Sequence, residues 1–263
     1  MKRVLLTGAA SGIGRATAAE LRRKGARVAG LDLAEGEDLI HCDVSDQASV
    51  DRAVAEAIER LAGLDVVVNC AGIGIPQSAG LRPDEGAQKV IEVNLMGPWR
   101  VTAAALDALL ASRGRVVNVA SGLAFVTSPF ATAYTMSKRA ITAYSDSLRL
   151  EYADRLTVTT VYPGYIRTPI HDAGAHKGIS LDGAVPEEKL QDAVETMVRA
   201  VLGPPARDLA TTRRGAVSYA LVRRLPRRLF DRLTELRLRS LAKRGHFDDS
   251  ELAREMTERL KRA

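Results

Sequence analysis

Aromatic residues are scarce in this chain of 263 residues: four Phe, six Tyr and one Trp make up 4% of it. The core cannot be organised around large rings. It must be built largely from the Ala, Val, Leu and Ile within the 46% hydrophobic content. Such side chains suit a parallel sheet covered by helices on both faces. Cysteine is almost absent: Cys42 and Cys70 are the two. No residues stand at zinc-ligand spacing, so no metal is expected. At the ends of apolar runs the two thiols read as small core residues, with a disulfide between them left open. No apolar run approaches the ~20 residues needed to span a bilayer. The start, Met1-Lys2-Arg3 and then a short apolar run to Thr7-Gly8, lacks the long stretch and cleavage site of a signal peptide. A cytoplasmic protein is expected.

Charge of one sign is lacking over most of the chain. The formal net charge is +6, but residues 213–263 hold 15 Lys and Arg against 7 Asp and Glu. That leaves 23 of the 38 basic and 25 of the 32 acidic residues for the rest. A near-neutral body gives no footprint for nucleic acid, and the positive excess belongs to the tail.

What is present is alternation. Apolar runs at 2–7, 27–31, 39–44, 64–69, 115–121 and 157–162 read as buried strands. Residues 12–24, 46–61, 83–112 and 133–153 have helical character. Asp46 is placed to cap the second of these, with Val50, Val54, Ala57, Ile58 and Leu61 on one face. The third is expected to bend near Gly97-Pro98. This order predicts an α/β protein with a single Rossmann-type, doubly wound parallel sheet and right-handed crossovers. After Gly164 the pattern loosens. Gly174, Gly178 and Gly183 stand among His171, Asp172, His176 and Lys177, and a substrate lid is expected there. A helix over 186–202 follows, and 208–212 can supply a short last strand.

The tail has its own pattern. Leu225, Leu229, Leu233 and Leu236, with Phe230 and Leu241, form a helical stripe among arginines, with Pro226 in its first turn. Asp248-Asp249-Ser250-Glu251 opens a last helix, with Leu252, Met256 and Leu260 as its buried face. The expected organisation is a catalytic domain over 1–204 and a basic helical extension over 205–263 packed on it.

Thr7-Gly8-Ala9-Ala10-Ser11-Gly12-Ile13-Gly14 joins the first strand to the first helix. Its glycines permit a tight turn and close approach to a pyrophosphate, and the helix start offers free N–H groups and a positive dipole end. The plainer alternative is an ordinary strand-helix turn, but the flanking elements meet the context this motif requires. Asp32 ends the second strand, where a carboxylate accepts from ribose hydroxyls and repels a 2′-phosphate. NAD is therefore expected over NADP.

The Gly8, Gly12, Gly14 spacing, Asp43, the element Asn69-Cys70-Ala71-Gly72, then Asn94, Ser121, Tyr134 with Lys138, and Pro163-Gly164 with Thr168 occur in an order that resembles the short-chain dehydrogenase/reductase family. The likeness runs over about residues 1–202, with Cys70 as a departure from the family's usual Asn. It implies that a nicotinamide dinucleotide is held by Gly8, Ser11, Gly12, Ile13, Gly14, Asp32, Asp43, Val44, Asn69, Ala71, Gly72, Tyr134, Lys138, Pro163, Gly164, Ile166 and Thr168. It implies catalysis by Asn94, Ser121, Tyr134 and Lys138, with Asn94 holding a water that links Lys138 to solvent, and a homodimer or homotetramer. The extra tail is similar to the branch acting on steroids, retinoids and other lipid alcohols, which implies a lipid-like substrate and peripheral membrane contact.

The chemistry also follows from the residues. Tyr134 and Lys138 are four apart on a helix and share a face. A free tyrosine has a pKa of about 10, and a neighbouring ammonium favours its phenolate. Tyr134 can then exchange a proton with an alcohol while hydride passes to or from the nicotinamide, and Ser121 can donate to the substrate oxygen. Taken singly each has a plainer reading: Ser121 could cap the next turn, and Asn94 could be a buried amide satisfying backbone. The expected function is interconversion of a hydrophobic secondary alcohol and its ketone. The rival is a non-catalytic NAD-binding scaffold or sensor, which has no need of Tyr134 and Lys138 together.

Overall fold

A computed structural model describes residues 1–180, 182 and 184–262; Gly183 of the expected lid lies outside the described residues. Seven strands form one sheet: β1 (Arg3–Thr7), β2 (Arg27–Asp32), β3 (Leu39–His41), β4 (Val66–Asn69), β5 (Arg115–Val119), β6 (Thr157–Tyr162) and β7 (Asp208–Ala210). The order is β3-β2-β1-β4-β5-β6-β7, and every pairing is parallel. Parallel neighbours need crossovers, which the helices supply on both faces. They are α1 (Gly12–Arg23), α2 (Gln47–Leu61), α3 (Glu85–Ile91), α4 (Gly97–Ala104), α5 (Leu106–Ser112), α6 (Thr132–Glu151), the short α7 (Asp172–Ala175) and α8 (Leu190–Leu202). Val4, Leu6, Val66, Val68 and Val161 pack with Leu21 and Met197 on one face. Leu5, Val67, Val116 and Val158 pack with Val50, Val101 and Leu109 on the other. Asp46 caps α2 as expected, accepting from the Ala48 and Ser49 amides.

Two features differ from the expectations. The long helix over 83–112 is broken into α3, a π-turn at Glu92–Met96, α4 and α5. Beyond residue 204, β7 pairs with β6, as the short last strand expected over 208–212. The tail then begins with α9 (Arg213–Val222), which the apolar pattern had not indicated.

α10 (Arg227–Lys243) follows Pro226, so Leu225 precedes the helix. Of its expected stripe, Leu229, Leu233 and Leu236 are 44%, 51% and 54% exposed, whereas Phe230 and Leu241 are half-buried. The inward side is Leu238 and Ala242 together with Leu241 of that stripe, which pack with Phe247, Ala253 and Leu260 against Phe130 and Ile179 of the body. α11 (Arg254–Arg262) completes this cluster, with Leu260 buried and Leu252 and Met256 half-buried. No described helix is long and apolar enough to cross a membrane.

Candidate active site

The site lies at the carboxyl ends of the strands, the usual ligand crevice of such sheets. Gly8 takes a left-handed conformation (φ +74°) directly after β1 and passes close to the turn after β4. A Cβ there would lie 2.9 Å from the Ala71 amide nitrogen. Thr7 fastens the same junction, its Oγ1 accepting from the Cys70 and Ala71 amides at 3.1 Å each. Ser11 precedes α1 in extended backbone, and its side chain makes no capping bond. The first amides of α1 are thus left for a ligand. Gly14 sits so near Gly8 that a Cβ would meet the Gly8 carbonyl oxygen at 2.0 Å. Thr168, reaching over from the loop after β6, would touch a Cβ on Gly12. A loop without side chains, uncapped amides and a closing threonine fit a dinucleotide's pyrophosphate.

Asp32 ends β2 with both oxygens engaged, one by the Ala10 amide at 2.9 Å and one by the Ala34 amide at 3.1 Å. The carboxylate therefore also shapes the loop. Leu33 beside it is exposed. Burial works to raise the Asp43 carboxyl, but bonds from the Ser45 hydroxyl and amide hold it below the usual range. Val44, next to it, is buried against Gly97.

β5 ends at Val119 and delivers Ser121, whose Oγ accepts from the Leu123 amide at 3.2 Å and caps a short 3-10 turn. The plainer reading of Ser121 is thus fulfilled, and its proton remains available. α6 presents Tyr134 and Lys138, with Lys138 Nζ 5.6 Å from the Tyr134 ring centroid and donating to the Val119 carbonyl at 2.9 Å. Burial lifts the Tyr134 phenol to about 12, against an opposing hydrogen bond with Ser121. Burial also pulls the Lys138 ammonium down to about 8. The expected lowering of the phenol by Lys138 does not emerge, because desolvation disfavours both charged forms.

Asn94 stands on the π-turn, a distortion frequent at functional sites. Its amide accepts from Ile73 N at 2.8 Å, donates to Ile73 O at 2.9 Å and reaches Ser137 Oγ at 3.3 Å. It clamps the turn after Gly72, as the backbone-satisfying alternative has it. Gly72 lies between Asn94 Oδ1 and Lys138 Nζ. Asn69 is likewise turned into the protein, donating to Thr102 and Asn118 and leaving its buried Oδ1 without a hydrogen-bond partner. Burial lifts the Cys70 thiol to about 11.

One cavity of about 1000 Å³ gathers Gly8, Ser11, Gly12, Ile13, Gly14, Ala71, Gly72, Ser121, Tyr134, Lys138, Pro163, Gly164, Ile166 and Thr168 into its wall. Asp32, Asp43, Val44, Asn69 and Asn94 lie outside that wall. Tyr165 lines it and packs edge-on to His171 at 4.9 Å, while Trp99 stands elsewhere against Tyr144. Sequence reasoning missed Glu188, Tyr219, Leu238 and Phe247, which also line the cavity, as do Phe230, Leu233 and Leu241 of the expected stripe. Most of these come from α9, α10 and the turn after them; the spacing of Leu238 and Leu241 was the available signal.

Sheet order, phosphate loop and polar cluster define a dinucleotide-binding α/β protein. A family model described as short chain dehydrogenase matches residues 2–177. The oxidoreductase UcpA of Escherichia coli (strain K12) is 33% identical over 220 residues, covering 74% of this chain and 84% of UcpA. Human retinol dehydrogenase 5 is 37% identical over 183 residues, 64% of this chain and 57% of its own. The alcohol dehydrogenase of Thermococcus sibiricus, solved with 5-hydroxy-NADP, superposes with a TM-score of 0.70 at 28% identity, covering 80% of this chain and 95% of the other. The chain belongs to the short-chain dehydrogenase family, oxidoreductases that use nicotinamide cofactors.

Proposed function

We propose that the chain interconverts an apolar secondary alcohol and its ketone with NAD, and that Tyr134 is the acid/base. The observation that carries this reading is the convergence of Tyr134, Ser121 and Lys138 on one cavity, with the phosphate loop and apolar tail side chains in the same wall. When bound, the nicotinamide supplies the hydride acceptor or donor and, oxidised, a positive charge. Tyr134 Oη takes the proton of the substrate hydroxyl in oxidation and returns it in reduction. Ser121 Oγ, already an acceptor for Leu123 N, donates to the substrate oxygen and orients it. The Lys138 ammonium favours the phenolate that burial opposes. Asn94 acts through Gly72–Ile73, holding the turn beside Lys138. Asp32 beside exposed Leu33 supports NAD over NADP, since no basic side chain follows it in sequence to receive a 2′-phosphate. Phe230, Leu238, Leu241 and Phe247 support an apolar, lipid-like substrate, as the name of the human relative also does. The exposed Leu229 and Leu236 of α10, beside Arg228 and Arg232, are the surface for the peripheral membrane contact in this reading.

The test is a panel of secondary alcohols and ketones followed by absorbance of reduced nicotinamide, with NAD and NADP in parallel. The expected result is turnover of apolar members with NAD preferred, and loss of about 10²–10⁴-fold in Tyr134→Phe with NADH affinity near wild type. A variant that kept more than about a tenth of the rate would remove Tyr134 from the role. Equal use of the two cofactors would remove Asp32 from its own.

A further inference from the structure

α9 follows directly on β7 and is held at both ends of its contact with the body. At its start, the Glu188 carboxylate accepts from Gly164 N at 2.9 Å, from Thr212 Oγ1 at 2.6 Å and from Thr211 Oγ1. Thr212 Oγ1 in turn caps the helix by accepting from Gly215 N at 3.0 Å. Further along, Tyr219 stacks on Phe125 with ring centroids 5.0 Å apart, and Phe125 rests on Tyr162 at 4.7 Å. The Arg223 guanidinium lies 5.5 Å from the Phe125 ring centroid.

This framework fixes the Tyr219 hydroxyl against the residue that follows Ser121. A Cβ on Gly122 would lie 2.3 Å from that oxygen, so glycine is required for the ring to sit there. Tyr219 belongs to the cavity wall that also holds Ser121 and Tyr134, and its hydroxyl is hydrogen-bonded to no described residue. A phenol oriented by packing, with its donor unspent, is matched by an acceptor on the ligand. Residues 2–177 match the family model, so Tyr219 lies outside the part shared with it.

We propose that Tyr219 is a specificity-determining residue that donates a hydrogen bond to a second oxygen of the substrate. The preferred substrates are then apolar secondary alcohols or ketones that carry a further acceptor oxygen (carbonyl, ether or hydroxyl) near the reacting carbon. This rests on the alcohol–ketone reading above and narrows it. Burial, and next the charge of Glu188, lift the Tyr219 phenol to about 12, so it remains a donor throughout the neutral range. Such a site discriminates sharply, because a ligand lacking the acceptor leaves the donor unpaired.

The experiment compares full-length wild type with Tyr219→Phe, which keeps the ring and its stacking. The probes are 2-octanol, 2-octanone and their analogues of equal chain length bearing a keto or ether oxygen two to five carbons from the carbinol or carbonyl carbon. Wild type is expected to favour the dioxygenated members. Tyr219→Phe is expected to raise their KM about tenfold, with kcat retained and the plain pair unchanged. An equal change on both sets would make Tyr219 a wall element only, and no change on either would leave it no role; both overturn the proposal. If wild type turned over no member of the panel, the alcohol–ketone reading would be what fails. Calorimetric titration of the same two proteins with the two ketones then decides Tyr219 alone. A weaker Kd in Tyr219→Phe confined to the dioxygenated ketone supports it, and equal Kd values overturn it.

Discussion

Lys138 is 4% exposed and donates a hydrogen bond to the Val119 carbonyl. A charge in that position costs stability, and the cost depends on pH. Burial takes its pKa from 10.5 to about 8, so the folded protein releases this proton before the unfolded chain does. Between about pH 8 and 10.5 the unfolded chain binds more protons, and stability from this group rises with pH. It is lost again as pH falls through 8. Tyr134, lifted from 10.0 to about 12, acts in the opposite sense above pH 10, so the informative window ends there. Thermal unfolding of the cofactor-free protein, compared with Lys138→Met, is expected to show the wild type gaining on the variant from pH 8 to 10. A constant difference across that range would mean that Lys138 titrates like a solvated lysine. At this scale the sequence was informative about residue type and silent about partners. Ser121 follows β5 and Asn94 stands on the π-turn, yet which backbone groups they bind depended on turns that have no periodic signal.

The phosphate loop and α1 are the element whose reading from sequence needed least from the rest of the fold. Three glycines, a strand before and a helix after are all local features, and the contacts of Gly8 and Gly14 explain why side chains are missing there. Gly14→Ala is expected to force α1 away from the Gly8 carbonyl. It should cost about 1–3 kcal/mol in denaturant unfolding, as overpacking does, and weaken NADH binding more than tenfold by fluorescence titration. Gly25→Ala is the control: its φ of +85° brings strain, but nothing lies within 4 Å of the new Cβ. It should lower stability by about 1 kcal/mol and leave NADH binding unchanged. If Gly14→Ala bound NADH normally, the loop would not be the pyrophosphate seat. Elsewhere the pattern misled. In α9, Val217 and Leu221 face water while Tyr219 turns inward, so the apolar spacing does not mark the buried face. The π-turn at Glu92–Met96 shifts the helix register without any change in composition.

Over the whole molecule, α9 is packed into the body through Tyr219, whereas the rest of the tail has an apolar cluster of its own. The two apolar clusters on the faces of the sheet draw no residue from beyond Leu209. The tail's cluster of Ala242, Phe247, Ala253 and Leu260 meets the body only through Phe130 and Ile179 among its apolar partners. Two polar contacts tie it to the expected lid: Ser250 Oγ donates to the Lys177 carbonyl at 2.8 Å, and His246 Nε2 lies 2.9 Å from the Ser180 carbonyl oxygen. Removing residues 225–263 should therefore leave a folded, dinucleotide-binding body that retains α9 and Tyr219. What it loses is the apolar side of the cavity contributed by Phe230, Leu238, Leu241 and Phe247. Each such side chain, fully buried against a ligand, is worth about 1.5–3 kcal/mol, so losing even one raises KM roughly tenfold or more for a substrate long enough to reach it. Small alcohols, held near Tyr134, should change less than about twofold, on the same reasoning about area removed from water. Steady-state kinetics on a series of increasing chain length, with thermal unfolding to confirm the fold, checks both halves. If the truncated protein kept full activity on every apolar substrate and lost only its oligomeric state in solution, α10 would be an interface between copies of the chain, and its cover of the cavity would have no part in binding.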